Sequence, residues 1–223
     1  MPQSEVLCRT LRISYNTSSG SAFTIEVNGI QYIITAKHLF KSDRYPATAQ
    51  ITILEQKKYM PYNVEIKYPS KSSIDIAVIK LIPYQLLTPT FENEFSSNGI
   101  IIGQDLYFLG FPYDYDDLLC DLPGETHPMP FIKKACLSSI IFPNGKLLLD
   151  GHNNPGFSGG PVCFKPQGSK SYNIAGVIAS YRFDRQVVFD KDENETDMFV
   201  KENTGIINAY DIKYAVEIAR NWK

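Results

Sequence analysis

The sequence predicts an all-β chain of antiparallel barrels, finished by a single C-terminal helix. Three observations predict it. Short apolar or alternating runs recur along almost the whole chain, separated by clusters of Gly, Pro, Asn and Asp. Helical spacing of apolar residues closes the chain. A stretch without clean period, Pro83 to Asn98, divides the strands into two halves.

The elements follow in order. Val6 to Ile13 alternates loosely, as a half-buried strand does, and Asn16 to Gly20 is a turn cluster. Ser21 to Val27 and Ile30 to Thr35 are strands joined by Asn28-Gly29, a two-residue hairpin signal. The second of them runs into His38, where a short helical turn is expected. Ala49–Leu54, Tyr62–Tyr68 and Ser73–Leu81 are further strands, the last with Asp75 inside an otherwise apolar run. A carboxylate there needs a partner, because burying an unpaired charge is costly.

The second half opens with a strand over Asp105–Pro112 and a polar, Pro-rich loop from Tyr113 to Pro130. Strands follow over Lys133–Phe142, Lys146–Asp150, Pro161–Phe164, Tyr172–Tyr181 and Gly205–Ala209. The acidic run 190–197 reads as an exposed loop. Asp211 can cap the last helix, whose apolar face is Ile212, Ala215, Val216, Ala219 and Trp222.

Composition narrows the function classes. The chain has 223 residues, 43% hydrophobic and 21% charged, which suits one large domain or two small packed ones and not a disordered chain. A net charge of −2 gives no reason to expect nucleic acid or an anionic membrane as partner. The first residues lack a basic segment followed by an apolar one, so no signal peptide is read. No apolar run approaches the roughly 18 residues a membrane span needs. The four cysteines form no close pair and no CxxC, and read as free thiols in a reducing compartment, the cytoplasm. The three histidines and scattered acids show no metal-ligand spacing, so neither metal nor cofactor is expected.

Chemistry concentrates in Gly151-His152-Asn153-Asn154-Pro155-Gly156-Phe157-Ser158-Gly159-Gly160-Pro161-Val162. Glycines flank a serine in a tight turn and let a substrate carbonyl come close to the main chain. A serine hydroxyl is a poor nucleophile until a base takes its proton. Gly156-x-Ser158-x-Gly160 also fits a strand-to-helix nucleophile elbow, but there the acid and the histidine follow the serine. His38, His127 and His152 all precede Ser158, which leaves the order His, Asp, Ser.

His38, Asp75 and Ser158 supply a base, an orienter and a nucleophile. Thr35-Ala36-Lys37-His38 resembles the T-A-x-H of trypsin-like (chymotrypsin-fold) serine peptidases, Asp75-Ile76-Ala77-Val78-Ile79-Lys80-Leu81 their D-I-A-L-L-K-L, and Gly156-Phe157-Ser158-Gly159-Gly160-Pro161 their G-x-S-G-G-P. Gly20-Ser21-Ala22-Phe23 resembles the G-[ST]-G-F that opens the bacterial Deg-like branch, and a member of that branch without a PDZ domain is expected. The resemblance implies two antiparallel six-stranded β-barrels with the site in the cleft between them. Residues 1–88 would form one, carrying His38 and Asp75, 98–210 the other, carrying Ser158, and 211–223 the helix. It also implies an oxyanion hole from the backbone N–H groups of Gly156 and Ser158. Phe157 stands where secreted digestive members carry an aspartate that pairs with a freed N-terminus, which argues against activation by that route. Ala179 falls where many members have a serine.

Two readings of the primary pocket stay open. His152, six residues before Ser158, could favour an acidic or polar side chain. Alternatively Ile178, Ser180 and Tyr181 line the pocket and accept medium apolar side chains. Both exclude a strong preference for Lys or Arg. His127, in the Pro-rich loop, reads as solvated. The expected function is a serine endopeptidase acting on protein or peptide substrates through an acyl-enzyme. The alternatives are a catalytically silent barrel pair that binds peptides or a partner, and a serine esterase on the same three residues.

Overall fold

The computed structural model describes residues 4–90, 94–115, 120, 124 and 126–222. A short helix α1 (Ser4–Arg9) leads into β1 (Thr10–Tyr15), β2 (Ser18–Val27) and β3 (Ile30–Thr35), followed by β4 (Thr48–Glu55), β5 (Lys58–Lys67) and β6 (Ala77–Ile82). These six strands close an antiparallel barrel in the order β1-β2-β3-β6-β5-β4, with Ile13 against Ile53 at the seam. The second barrel holds β7 (Asp105–Gly110), β8 (Phe131–Ile141), β9 (Lys146–Asp150), β10 (Pro161–Phe164), β11 (Asn173–Phe189) and β12 (Glu195–Asp211), in the order β10-β11-β12-β9-β8-β7. Helix α2 (Lys213–Arg220) ends the fold. No described helix is long and apolar enough to cross a membrane.

Side-chain alternation explains why some strands read as unbroken apolar runs. Ala22, Ile33, Ala77 and Ile79 fill the first barrel. Their neighbours Phe23, Ile34, Ile76 and Val78 face outward into a cluster that also takes Leu109 and Val177 of the second barrel and Ile212, Ala215 and Val216 beside or on α2. A strand buried on both faces shows no period of two. That shared layer joins the barrels, and each large aliphatic side chain buried in it contributes about 1.5–3 kcal/mol. α2 docks through the anticipated face; Trp222 packs against Tyr32 at 5.2 Å between ring centroids. The Asp211 carboxylate accepts the Lys213 N–H at 2.9 Å at its start.

Four expectations need correction. Val6 to Ile13 is not one strand: Ser4–Arg9 is helical, and the Thr10 hydroxyl closes it on the Val6 carbonyl at 2.7 Å. Eight loosely alternating residues cannot separate a buried turn of helix from a strand. Asp75 lies ahead of β6 in an extended segment, not within the strand. His127 is buried, 1% exposed, with Nε2 at 3.0 Å from the Leu87 carbonyl, because the Pro-rich loop folds back on the linker. Finally, the acidic run 190–197 is not all loop. Asp190–Asn194 is a tight turn and Glu195 already begins β12, so β11 and β12 run on as a 17-residue ribbon. Asp190 accepts the N–H groups of Asn194 and Asp192, which hold its carboxyl below the ordinary value.

Candidate active site

His38 stands in a 3₁₀ turn, Lys37–Asp43, directly after β3. The Asp75 carboxylate meets it twice: Oδ1 accepts the His38 backbone N–H at 2.8 Å, and Oδ2 lies 2.6 Å from Nδ1. With Nδ1–H turned to the carboxylate, Nε2 is left as the basic nitrogen. The two side chains are 45% and 25% exposed, so the pair opens on solvent. Lys37 steadies the segment that carries Asp75, its Nζ donating to the Ser72 carbonyl at 3.1 Å. Nearby, burial and then the Asp75 charge raise the Tyr210 phenol above its ordinary pKa.

Ser158 sits between β9 and β10 in a turn only glycine can build. Gly156 and Gly159 have φ of 101° and 88°. A Cβ on Gly159 would overlap the Ser21 carbonyl, and one on Gly156 the Phe111 carbonyl. Among the described residues, the N–H groups of Gly156 and Ser158 have no protein acceptor. Neighbouring bonds orient both. Tyr113 N–H holds the Pro155 carbonyl at 3.1 Å, and Gly160 N–H holds that of Phe157 at 2.9 Å. In a trans peptide the N–H points away from its carbonyl, so these contacts set the direction of the free N–H groups. Such a pair of donors can receive an oxyanion.

His38, Asp75 and Ser158 line one cleft of about 370 Å³ between the barrels, with Asn154, Pro155, Ala179, Ser180, Tyr181 and Phe183. The Ser158 hydroxyl donates to the Ala179 carbonyl at 3.0 Å rather than to His38. Ser180 and Tyr181 line this cleft. Ile178 does not; it is fully buried in the second barrel's core. His152 is exposed and off the cleft lining, its carbonyl accepting Lys133 Nζ at 2.7 Å. Asn154 occupies the wall instead. Its amide donates to the Tyr113 hydroxyl at 2.7 Å and its carbonyl oxygen accepts from Lys133, whose pKa burial lowers. Asn154, Pro155 and Phe183 escaped the sequence reading; the first two adjoin the glycine motif, whereas Phe183 lies beyond the anticipated end of its strand. Among the described residues, no group of three or more His, Cys, Asp or Glu could hold a metal ion.

The model of the trypsin-like peptidase domain matches residues 20–169, more than half of the chain. The chain belongs to the trypsin-like peptidase family. As a member it is a serine peptidase of that kind, a hydrolase acting on protein or peptide substrates. No curated protein sequence matches it. Its fold is similar to that of the Rv3671c protease of M. tuberculosis, inactive form, with 14% identity and a TM-score of 0.59 over 99% of this chain and 92% of that one. It is similar to Deg5, at 18% identity and a TM-score of 0.58 over 98% and 92%. It is also similar to the HtrA-type protease AlgW, at 18% and 0.59 over 97% of this peptidase and 60% of AlgW. The peptidase thus has the two-barrel chymotrypsin-like fold with a C-terminal helix, of Deg-like pattern. Phe157, beside the serine, is fully buried and packs its ring on Phe108 at 5.1 Å, so an apolar contact fills the acid's usual place.

Proposed function

We propose that this peptidase is an endopeptidase that works through His38, Asp75 and Ser158 by way of an acyl-enzyme. His38 Nε2 takes the Ser158 proton as Oγ attacks the scissile carbonyl, and returns it to the leaving amine. Asp75 holds the tautomer and stabilises the imidazolium. The N–H groups of Gly156 and Ser158 receive the oxyanion. Water, activated by the same imidazole, then releases the acyl group. The two hydrogen bonds that His38 donates to the Asp75 carboxylate, beside a serine lining the same cleft, carry the reading.

The reading takes 1–88 and 98–210 as the barrel domains contributing the two halves of the site, and 211–223 as a helix appended to them. Four free thiols favour a reducing compartment, the cytoplasm. Ser180, Tyr181 and Phe183 favour an apolar side chain before the scissile bond, and among the described residues the one carboxylate on the cleft wall, Asp75, is engaged by His38. A fluorophosphonate should label Ser158 alone, and Ser158→Ala should abolish labelling and cleavage of a diverse peptide pool. No labelling of the native chain would indicate a silent barrel pair, and labelling without peptide cleavage an esterase. A profile dominated by Lys or Arg would overturn the pocket assignment.

A further inference from the structure

Ser21 lies on β2 of the first barrel, fully buried, yet most of its polar contacts are with the second barrel. Its N–H donates to the Ser158 carbonyl at 2.8 Å. Its hydroxyl donates to the Gly156 carbonyl at 2.7 Å and accepts the Phe111 N–H at 2.9 Å. One residue therefore grips the carbonyls of both residues whose N–H groups lie free at the candidate oxyanion site. Phe111 is itself held from the other end: the buried Arg12 guanidinium donates to its carbonyl at 3.2 Å and to the Ser19 hydroxyl at 3.1 Å. Two residues on, Tyr113 N–H fixes the Pro155 carbonyl and thus the direction of the Gly156 N–H. The fit is close, since a Cβ on Gly110 would stand 2.5 Å from the Ser21 hydroxyl oxygen.

We propose that Ser21 is a positioning residue for the oxyanion site: its hydroxyl bridges Phe111 and Gly156 and locks the Pro155–Ser158 backbone in the geometry that presents two N–H groups to a substrate oxyanion. The proposal rests on the catalytic reading of Ser158. The hydroxyl touches no reacting atom. It is fully buried and satisfied as donor and acceptor at once, so its removal leaves a buried N–H and a buried C=O without their bond.

The test is Ser21→Ala, with Ser21→Thr as the variant that keeps the hydroxyl. Removing one oxyanion donor outright costs roughly 10²–10³ in kcat, so loosening both should cost Ser21→Ala about 10–100-fold. KM and the pH at half-maximal rate should stay as in the native chain, because His38 and Asp75 are untouched. Affinity for a peptide aldehyde, which forms the tetrahedral adduct, should fall by the same factor as kcat/KM. Amide exchange at Phe111, whose N–H the hydroxyl accepts, should rise in Ser21→Ala and stay slow in Ser21→Thr. Unchanged kcat despite faster Phe111 exchange would overturn the proposal, as would a rise in KM alone or a shifted pH profile. Failure of the native chain to react with a fluorophosphonate would sink the catalytic reading instead; unchanged Phe111 exchange in Ser21→Ala would still refute the lock.

Discussion

Two stretches of the second barrel show opposite ways of holding a backbone. The turn from Gly151 to Gly160 has few backbone bonds of its own but is gripped by Ser21, Tyr113, Lys133 and Asn203 from outside it. The outer half of the β11–β12 ribbon pairs in regular register from Phe183 against Asn203 to Val187 against Phe199, and the register shifts before Phe189 meets Glu195. Yet Phe189, Met198, Phe199 and Val200 on it remain more than half exposed. Pairing alone shapes the ribbon, whereas steric closeness shapes the turn. A two-stranded ribbon without a packed face is marginal by itself, so its stability comes from the barrel end, where Ile207 and Ala209 enter the core.

Substitutions should separate the two. The largest effect belongs to the chemistry the turn faces. Asp75→Asn should keep the fold and cut turnover by about 10⁴, the loss that follows when an imidazole is held in the wrong tautomer. Near-normal kcat would show that another group orients His38. Next come paired truncations of buried and exposed aromatic residues. Phe157→Ala, in the turn, should cost about 3–5 kcal/mol in denaturant unfolding. Phe199→Ala, on the ribbon, should stay within about 0.5 kcal/mol. Equal costs would mean that the ribbon face is covered in solution.

The finest contrast is between two glycines with similar φ. Gly159→Ala forces a Cβ onto the Ser21 and Thr35 oxygens at φ 88°, whereas Gly205→Ala, on β12 at φ 75°, meets nothing nearer than Asp150 Oδ1 at 3.7 Å. Gly205→Ala should cost about 1–2 kcal/mol, the left-handed penalty alone, and Gly159→Ala distinctly more, with slowed turnover. Matching melting temperatures would show that the turn relaxes as freely as the ribbon.

Much of this was legible in the chain. Asn28-Gly29 marks its hairpin because two adjacent residues at positive φ suit few other pairs. The face of α2 follows from helical spacing. His38 and Ser158 stand out because their neighbours are ones that such chemistry demands. Asp75 was found, though its strand was drawn four residues too early, since an apolar run continues across the boundary between extended chain and paired strand.

What local pattern determined, then, is where strands lie and which residues carry reactive groups, because alternation and turn chemistry act over a few residues. What only the tertiary structure decided is which groups meet. Ile178 and His152 sit near the cleft in sequence, but closure of the second barrel turns Ile178 into its core and leaves His152 outside, with Asn154 on the wall. His127 is covered because its loop reaches back to Leu87. Glu195 to Asp197, the start of β12, read as loop within the acidic run because pairing without burial leaves no hydrophobic period. The Ser21 bridge joins residues 135 apart in the chain, and the Arg12 contact residues 99 apart. Neither exists until both barrels have closed and packed, so no short-range signal in the sequence can announce them.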